Sequence, residues 1–271
     1  MRNWRIYNRS LIPSISPEIL ITDSIDRIKD TIKEENLFFA RWVTNFDCIR
    51  ETGFWYVIND TLLTIDDYSR NTRSKIRRGL NNFSVKEICF NENLEACYEI
   101  YCEAFDSYNT LEKCMSILEF KSFILSRIRN KEFLGLYDKN NRLEAFCVII
   151  IYKNSCELST IKFRPSSLKR YSGYCLYYTL NKRFLSQKRF RFINNGSRSL
   201  LHKTNVHNFL IEKFKYRRAF CDLHICYNNY LRIIVIIIFP LRSLLRIFSS
   251  RKLEKINAVL FQEEIHRNNN K

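Results

Sequence analysis

The chain of 271 residues is 46% apolar, enough to bury a core, and its 5 glycines and 4 prolines are too few for a collagen-like, linker-rich or disordered protein. The same count excludes long glycine-rich phosphate loops. The formal net charge of +17 predicts a surface that attracts phosphorylated cofactors, nucleic acid or anionic lipid.

The ten cysteines are scattered singly, without a Cys-x-x-Cys pair, which favours reduced thiols in a chain of this length. No apolar run of signal-peptide length precedes Pro13, so secretion is not expected. The most apolar stretch, residues 233–241, would span about 14 Å as a helix, against a hydrocarbon core of about 30 Å. We therefore expect a cytoplasmic protein without a membrane-spanning helix.

Residues 1–82 are predicted to form a partial N-terminal lobe. It contains a helix near 25–33 and an aromatic, β-rich stretch at 54–58 that is followed by a second at 62–65. Ser69 is a suitable N-cap for a helix over 70–80. This helix carries the densest basic cluster of the chain, which consists of Arg70, Arg73, Lys75, Arg77 and Arg78. The cluster could guide RNA, form a solvated face, or clamp acids such as Asp66 and Asp67.

From residue 84 onward, the patterns predict the order β-α-α-β-β-β-α-β-α-β. Residues 232–239 are a candidate for one further strand. The predicted strands are 84–90, 132–137, 142–152, 157–163, 191–194 and 218–227, and the predicted helices are 93–105, 112–129, 172–187 and 200–214.

This order of elements is that of the GNAT acyltransferase fold. Three stretches resemble its divergent branch, which includes the Fem-type peptidoglycan-bridge transferases and related bacterial acetyltransferase-like domains: the Arg-rich helix 71–78, the loop 170–175, and the block from 195–198 through 209–214. The resemblance covers residues 84–239. It implies an α+β, three-layer fold whose mixed, mostly antiparallel central sheet is flanked by helices. Residues 83–239 would be the acyltransferase domain, and 240–271 a basic amphipathic tail.

Residues 170–175, with the sequence RYSGYC, resemble the Arg/Gln-x-x-Gly-x-Gly/Ala loop of this family and depart from it at Cys175. A helix N-terminus offers backbone N–H groups to a pyrophosphate, and a glycine lets it approach closely. The resemblance implies acyl-CoA as donor, with acetyl-CoA as the expected ester, and no metal. The residues expected to bind it are Lys169, Arg170, Ser172, Gly173 and Tyr174, with Ser159 and Ile161 on the preceding strand, whose backbone N–H groups hold the thioester carbonyl. In the alternative interpretation, Gly173 only opens a helix.

The tyrosine that many family members use as general acid would fall near Ile211, which has no proton to give, and Lys215 stands at a family glycine. His202 and His207 are therefore the candidate catalytic residues, together with Asn205, because imidazole titrates near neutral pH and can accept a proton from an attacking amine. Either histidine could instead be a hydrogen-bonded structural residue. The expected reaction is N-acyl transfer to a small-molecule amine or an amino sugar.

Two other functions stay open. The chain could be a non-catalytic basic module that binds nucleic acid or an anionic membrane, or a Fem-type transferase that takes an aminoacyl-tRNA and guides it with residues 70–78. The stretch after Pro240 has the pattern of a basic amphipathic helix, which predicts packing on its own domain or, with the apolar residues before it, contact of 231–252 with the inner face of the membrane.

Cys221, Asp222, His224 and Cys226 could suggest metal ligands, but strand alternation puts Cys221 on the opposite face from the other three. A central strand buried on both faces explains this run more simply.

Overall fold

The computed structural model describes residues 3–107, 113–125, 130–199, 205–245 and 251–269. The strands are β1 Trp4–Tyr7, β2 Ser10–Pro13, β3 Phe39–Cys48, β4 Phe54–Asn59, β5 Phe83–Glu87, β6 Lys131–Asp138, β7 Leu143–Ile151, β8 Ser155–Phe163, β9 Phe192–Ser197 and β10 Arg217–Tyr227. The helices are α1 Ile25–Glu34, α2 Arg70–Asn82, α3 Leu94–Asp106, α4 Ile117–Ile124, α5 Pro165–Leu168, α6 Ser172–Asn181, α7 Val206–Phe214, α8 Asn229–Ile238, α9 Arg242–Leu245 and α10 Arg251–Asn269.

Contacts divide the chain into two compact units. The central unit comprises Ile58–Gly196 and Val206–Arg217, and the terminal unit comprises Met1–Val57, Ser197–Asn205 and Arg218–Lys271. The domain boundaries proposed from the sequence, at 82 and 239, stay predictions.

The central unit is organised around an antiparallel ladder in the order β5-β6-β7-β8, to which β9 adds a parallel partner of β8. Strand β7 is buried from Leu143 to Ile150, as expected of a strand covered on both faces. On one face, Phe146 and Val148 pack with Ile100 of α3 and Phe120 of α4. The predicted α+β class with a mixed, mostly antiparallel sheet and flanking helices is confirmed.

The terminal unit contains strands that the sequence patterns did not reveal. Strands β1 and β2 pair antiparallel, β2 runs parallel to β3, and β3 pairs antiparallel with β10. Helix α1 buries Ile28 and Ile32 in a cluster with Trp4 and Leu11. Strands β1 and β2 have only four residues each, and β3 has mixed exposure without strong alternation of apolar and polar residues, which is why these strands escaped prediction.

The helix predicted over 70–80 is confirmed as α2, with the Ser69 hydroxyl oxygen accepting from the Thr72 N–H at 3.3 Å. Two other predictions are wrong. Residues 232–239 do not form a strand: they lie in α8 and the turn after it, and the Asn228 side chain caps α8 by accepting from the Leu231 N–H at 2.7 Å. The stretch 62–65 forms no strand, and Ile65 instead opens a 3-10 turn.

The sequence of α8 shows that local secondary-structure propensity alone can predict the wrong element. Its run of isoleucine and valine favours a strand when read locally, because β-branched side chains have high β propensity. The N-cap and the packing of Val235 decide for a helix instead.

Candidate functional site

Strands β8 and β9 part within the central unit. Their parallel pairing covers Ser155 with Phe192, Cys156 with Ile193, and Glu157 with Asn194, and the register goes no further. Strand β8 nevertheless continues to Phe163. Beyond Glu157, the edge of β8 that faced β9 therefore has no strand partner among the described residues. Such an edge leaves backbone N–H and C=O groups for a ligand to pair.

A bulge lies in β8 directly after the point of separation. In the ladder with β7, Ile149 is opposite Leu158 and Val148 is opposite Thr160, so Ser159 is the extra residue. Bulges interrupt pairing and turn neighbouring groups toward a new direction, and they are frequent beside active sites. The predicted site residue Ser159 is exposed at this bulge, and Ile161 is half-buried opposite Cys147.

The loop 169–173 forms the start of α6. Tyr171, in the left-handed conformation with φ 68°, precedes the helix, and the buried hydroxyls of Ser167 and Ser172 bond at 2.9 Å. Helix geometry leaves the N–H groups of Ser172 and Gly173 without an intrahelical acceptor. A Cβ built on Gly173 would meet only the Leu168 side chain, at 3.9 Å. Gly173 is buried, but packing does not require glycine here, and a residue without a Cβ is the type that lets a phosphate come close to a helix start.

Helix α2 packs directly against this helix start, because residue 79 is glycine. A Cβ on Gly79 would lie 2.7 Å from the Tyr171 carbonyl oxygen and 3.1 Å from the Cys175 nitrogen. The first contact is too close for a Cβ unless backbone moves, and the second is tighter than most contacts of a Cβ. The Cys175 side chain is buried in the same region, 3.7 Å from the Phe83 carbonyl oxygen, and burial raises the pKa of its thiol to about 11. Cys175, where the sequence departs from the family loop, is therefore a packed residue of the contact between α2 and α6.

Two basic side chains of α2 reach the first turn of α6. The Lys75 ammonium is 5.5 Å from the centre of the Tyr174 ring. The Arg78 guanidinium is 5.9 Å from the Tyr171 ring centre and donates to its hydroxyl at 3.4 Å. The basic cluster and the loop, recognised separately in the sequence, therefore form one positively charged surface.

The remaining charges of this surface differ in their surroundings. Arg170 donates to the buried carboxylate of Glu144 at 2.8 Å and lies 3.7 Å from Asp138, so acids offset its charge. Lys169 is exposed. On α2, Arg73 and Arg77 lie 3.3 and 3.9 Å from the Asp66 carboxylate, as the clamp interpretation predicted for part of the cluster.

The structure describes two of the three predicted catalytic residues, and their catalytic role stays a prediction. His202 lies outside the described residues. Asn205 is exposed in the terminal unit. His207 is in the first turn of α7, in the central unit, with its Nε2 at 3.4 Å from the Asn195 carbonyl oxygen. Burial lowers the pKa of His207, which keeps the imidazole neutral at pH 7.

Aromatic contacts join the first turns of α6 and α7: the rings of Tyr174 and Phe209 are 5.1 Å apart. Helix α7 then ends at Phe214, and Lys215 has φ 56°, the left-handed conformation that glycine adopts readily after a helix. The glycine that the resemblance places at this position would adopt this conformation without strain.

Sequence reasoning missed two buried polar residues of the central unit. Tyr216 donates to the Asn181 side-chain oxygen at 2.8 Å, and burial holds its pKa well above the usual range, so the phenol stays protonated. Asn194 lies where β8 and β9 part. Its oxygen accepts from the Gly196 N–H at 2.8 Å, whereas its buried Nδ2 has no partner within the described residues. A buried amide without an acceptor costs about 1–3 kcal/mol. Asparagine inside an apolar strand is the sequence signal that could have revealed Asn194.

The set Cys221, Asp222, His224 and Cys226 has structural contacts in the terminal unit. Asp222 pairs with Arg50 at 2.6 Å and Asn45 at 2.7 Å, and His224 lies 2.7 Å from the Thr44 hydroxyl. Where the chain is described, no three histidine, cysteine or acidic side chains group as metal ligands.

No family model matches this sequence, and no curated protein matches it. Among solved structures, FemX is similar with a TM-score of 0.55 and 9% identity, over 78% of this chain and 77% of that chain. L-PGS from Bacillus licheniformis is similar with a TM-score of 0.53 and 12% identity, over 97% of this chain and 85% of that chain. At these identities the likeness shows the fold alone: the chain shares the GNAT-like fold of these structures.

Across the described ranges, the helices are too short or too polar to cross a membrane.

Proposed function

We propose that this protein is an acyltransferase that binds the phosphates of acyl-CoA between the start of α6 and the basic face of α2. The observation that carries the proposal is the contact at Gly79, which brings Lys75 and Arg78 to the rings of Tyr174 and Tyr171 at the start of α6. The similarity to FemX and L-PGS supports a transferase on this fold.

When bound, acyl-CoA supplies an activated thioester carbonyl and a thiol leaving group. Lys75, Arg78 and Lys169 offset the negative charge of its phosphates, while the N–H groups of Ser172 and Gly173 donate to them. The edge of β8 at the Ser159 bulge presents backbone N–H groups to an acyl carbonyl, and such fixed donors are a large source of rate enhancement.

The acceptor in this proposal is a primary amine of a small molecule or an amino sugar. His207 is in the protonation state that accepts a proton, because burial holds its imidazole neutral. Transfer to an amine needs no covalent enzyme intermediate, so alignment of the two substrates can supply most of the acceleration.

Titration calorimetry with acetyl-CoA tests the donor site. Lys75→Gln/Arg78→Gln should weaken binding by roughly tenfold or more, because it removes both charges beside the α6 start. The matched control is Arg70→Gln/Arg77→Gln, which removes two exposed charges from the same helix and should leave binding nearly unchanged. Equal effects of the two variants would contradict the proposed site. Release of free CoA thiol in the presence of an amine panel then tests transfer.

Aminoacyl-tRNA is a second candidate donor, favoured by the length of the basic face on α2. Arg70, Arg77 and Arg78 are exposed along three turns, a larger surface than a pyrophosphate occupies. For tRNA, both double variants should weaken binding, and the affinity should fall steeply between low and physiological salt. CoA affinity should change much less with salt. Absence of binding by every CoA ester and by tRNA would favour a non-catalytic module.

A further inference from the structure

Helix α8 carries apolar side chains on two faces, and one of these faces is exposed. The inner face packs in the terminal unit through Val235, and Phe239 in the following turn is also buried. The outer face of α8 consists of Tyr230, Ile233, Ile236 and Ile237, and exposed apolar residues continue at Leu241 and Leu244. Tyr230, Ile233 and Ile237 are 77%, 59% and 66% exposed, at the three- and four-residue spacing of one helical stripe.

The exposed apolar side chains of α8 are neighbours on one helix face, unlike apolar residues that are exposed singly on a protein surface. Isolated exposed leucines are ordinary on proteins, but contiguous apolar surface marks a site of protein or membrane contact. The packing of the described terminal unit accounts for the inner face only: Arg242 and Arg267 stack on Phe239, at 4.4 and 3.9 Å from its ring centre. The outer face therefore calls for an occupant outside the unit.

The charge around α8 identifies the class of occupant. Among the described residues 229–245, two are arginines and none is an acid. Arg232 is exposed beside Ile233, while Arg242 donates to Glu264 at 3.2 Å. A second copy of this chain would bring the same positive segment to the contact, and each copy carries a net charge of +17. Like charges oppose self-association, whereas an anionic lipid surface attracts both the basic residues and the apolar stripe.

We propose that α8 and the turn after it lie flat in the interface of an anionic lipid bilayer, with the outer face of α8 toward the acyl chains. A helix of ten residues is about 15 Å long and cannot span the hydrocarbon core of about 30 Å. Arg232 lies at the level of the lipid headgroups, and Tyr230 places an amphipathic ring at the same boundary.

Vesicle sedimentation of the full chain tests the proposal. The wild type should sediment with vesicles of equimolar phosphatidylglycerol and phosphatidylcholine, and much less with phosphatidylcholine alone, because binding combines apolar burial with attraction to anionic lipid. Ile233→Ser/Ile237→Ser should lower partitioning by roughly tenfold or more, since it removes apolar area from the inserted face. Arg232→Gln should have a smaller effect that disappears at high salt.

The matched control is Ile49→Ser/Leu118→Ser, which replaces two side chains that are at least as exposed but lie elsewhere. It should bind vesicles like the wild type, and both double variants should keep the wild-type melting temperature. In the Tyr230→Trp variant, brominated phosphatidylcholine mixed into the anionic vesicles should quench the new fluorescence if the ring reaches the acyl boundary.

Three results would overturn the proposal. The first is that the wild type stays in the supernatant with anionic vesicles. In the second, Ile233→Ser/Ile237→Ser sediments as the wild type does, or the control loses binding equally. In the third, sedimentation velocity shows a wild-type dimer that this variant converts to monomer, so that the outer face joins two copies. Membrane binding by α8 would stand whether or not the protein transfers an acyl group.

Discussion

The two glycines of the α2 and α6 region have different surroundings. A Cβ on Gly79 would lie 2.7 and 3.1 Å from backbone atoms, so the contact between the helices requires the absence of a Cβ. A Cβ on Gly173, at the start of α6, would meet only a side chain, at 3.9 Å. Packing explains the first glycine and leaves the second without a structural reason. The comparison separates a residue that the fold needs from one that a ligand would need.

We expect the largest loss of stability when Gly79 is replaced. Gly79→Ala should lower the free energy of unfolding by about 2 kcal/mol, because overpacking costs about 1–3 kcal/mol and exceeds the gain of up to about 1 kcal/mol in helix propensity. Urea unfolding measures the change. A variant as stable as the wild type would mean that α2 and α6 do not pack at Gly79.

The next prediction tests whether the charge of Arg170, close to Gly173 in the chain, stabilises the fold or binds a phosphate. Arg170→Gln should cost about 2 kcal/mol, because it leaves the buried Glu144 carboxylate without its cation, a penalty discounted here for the partial exposure of Arg170. Acetyl-CoA affinity, measured well below the melting temperature, should fall less than in Lys75→Gln/Arg78→Gln. If affinity collapses while stability is unchanged, Arg170 belongs to the phosphate site.

Gly173→Ala should have the opposite pattern to Gly79→Ala. Stability should stay the same or rise by up to about 1 kcal/mol, since the added methyl group has room and alanine favours helix. Acetyl-CoA binding should weaken by roughly tenfold, because the methyl group occupies the space of the phosphate. Calorimetry on this variant decides whether the glycine serves a ligand; unchanged affinity would leave it as a helix opener.

The smallest effect concerns His207, whose helix contacts the start of α6. Its folded-state pKa lies below the unfolded value near 6.5, so the unfolded state binds more protons in mild acid. The wild type should therefore lose stability as the pH falls below about 6.5, until the folded-state pKa is passed. Because His224 shifts in the same direction, the test is the difference between His207→Gln and the wild type over this range. No difference would show that His207 does not titrate abnormally.

Much of the central unit could be predicted from periodicity. The hairpin of β6 and β7 and the capped helix α2 follow local rules, and each was found near its observed bounds. The terminal unit was harder, because β1, β2 and β3 gain their burial from pairing with distant residues. Helix α8 was assigned the wrong structure because its isoleucines favour a strand locally, whereas its cap and packing favour a helix.

The candidate site, too, could be predicted from the sequence only in part. Gly173 and the basic cluster were visible as motifs, but the contact between them depends on Gly79, whose role requires the position of α6. The Ser159 bulge and the buried amide of Asn194 were invisible, because register and burial arise from pairing with other strands.

The sequence by itself determined the positive charge, the order of the central elements and the residue types able to meet a phosphate, because these depend on composition and local spacing. Only the tertiary structure decided where β8 and β9 separate, which arginines are matched by acids, and which face of α8 meets solvent. These properties depend on atoms that are distant in the chain, and no local pattern encodes their distances.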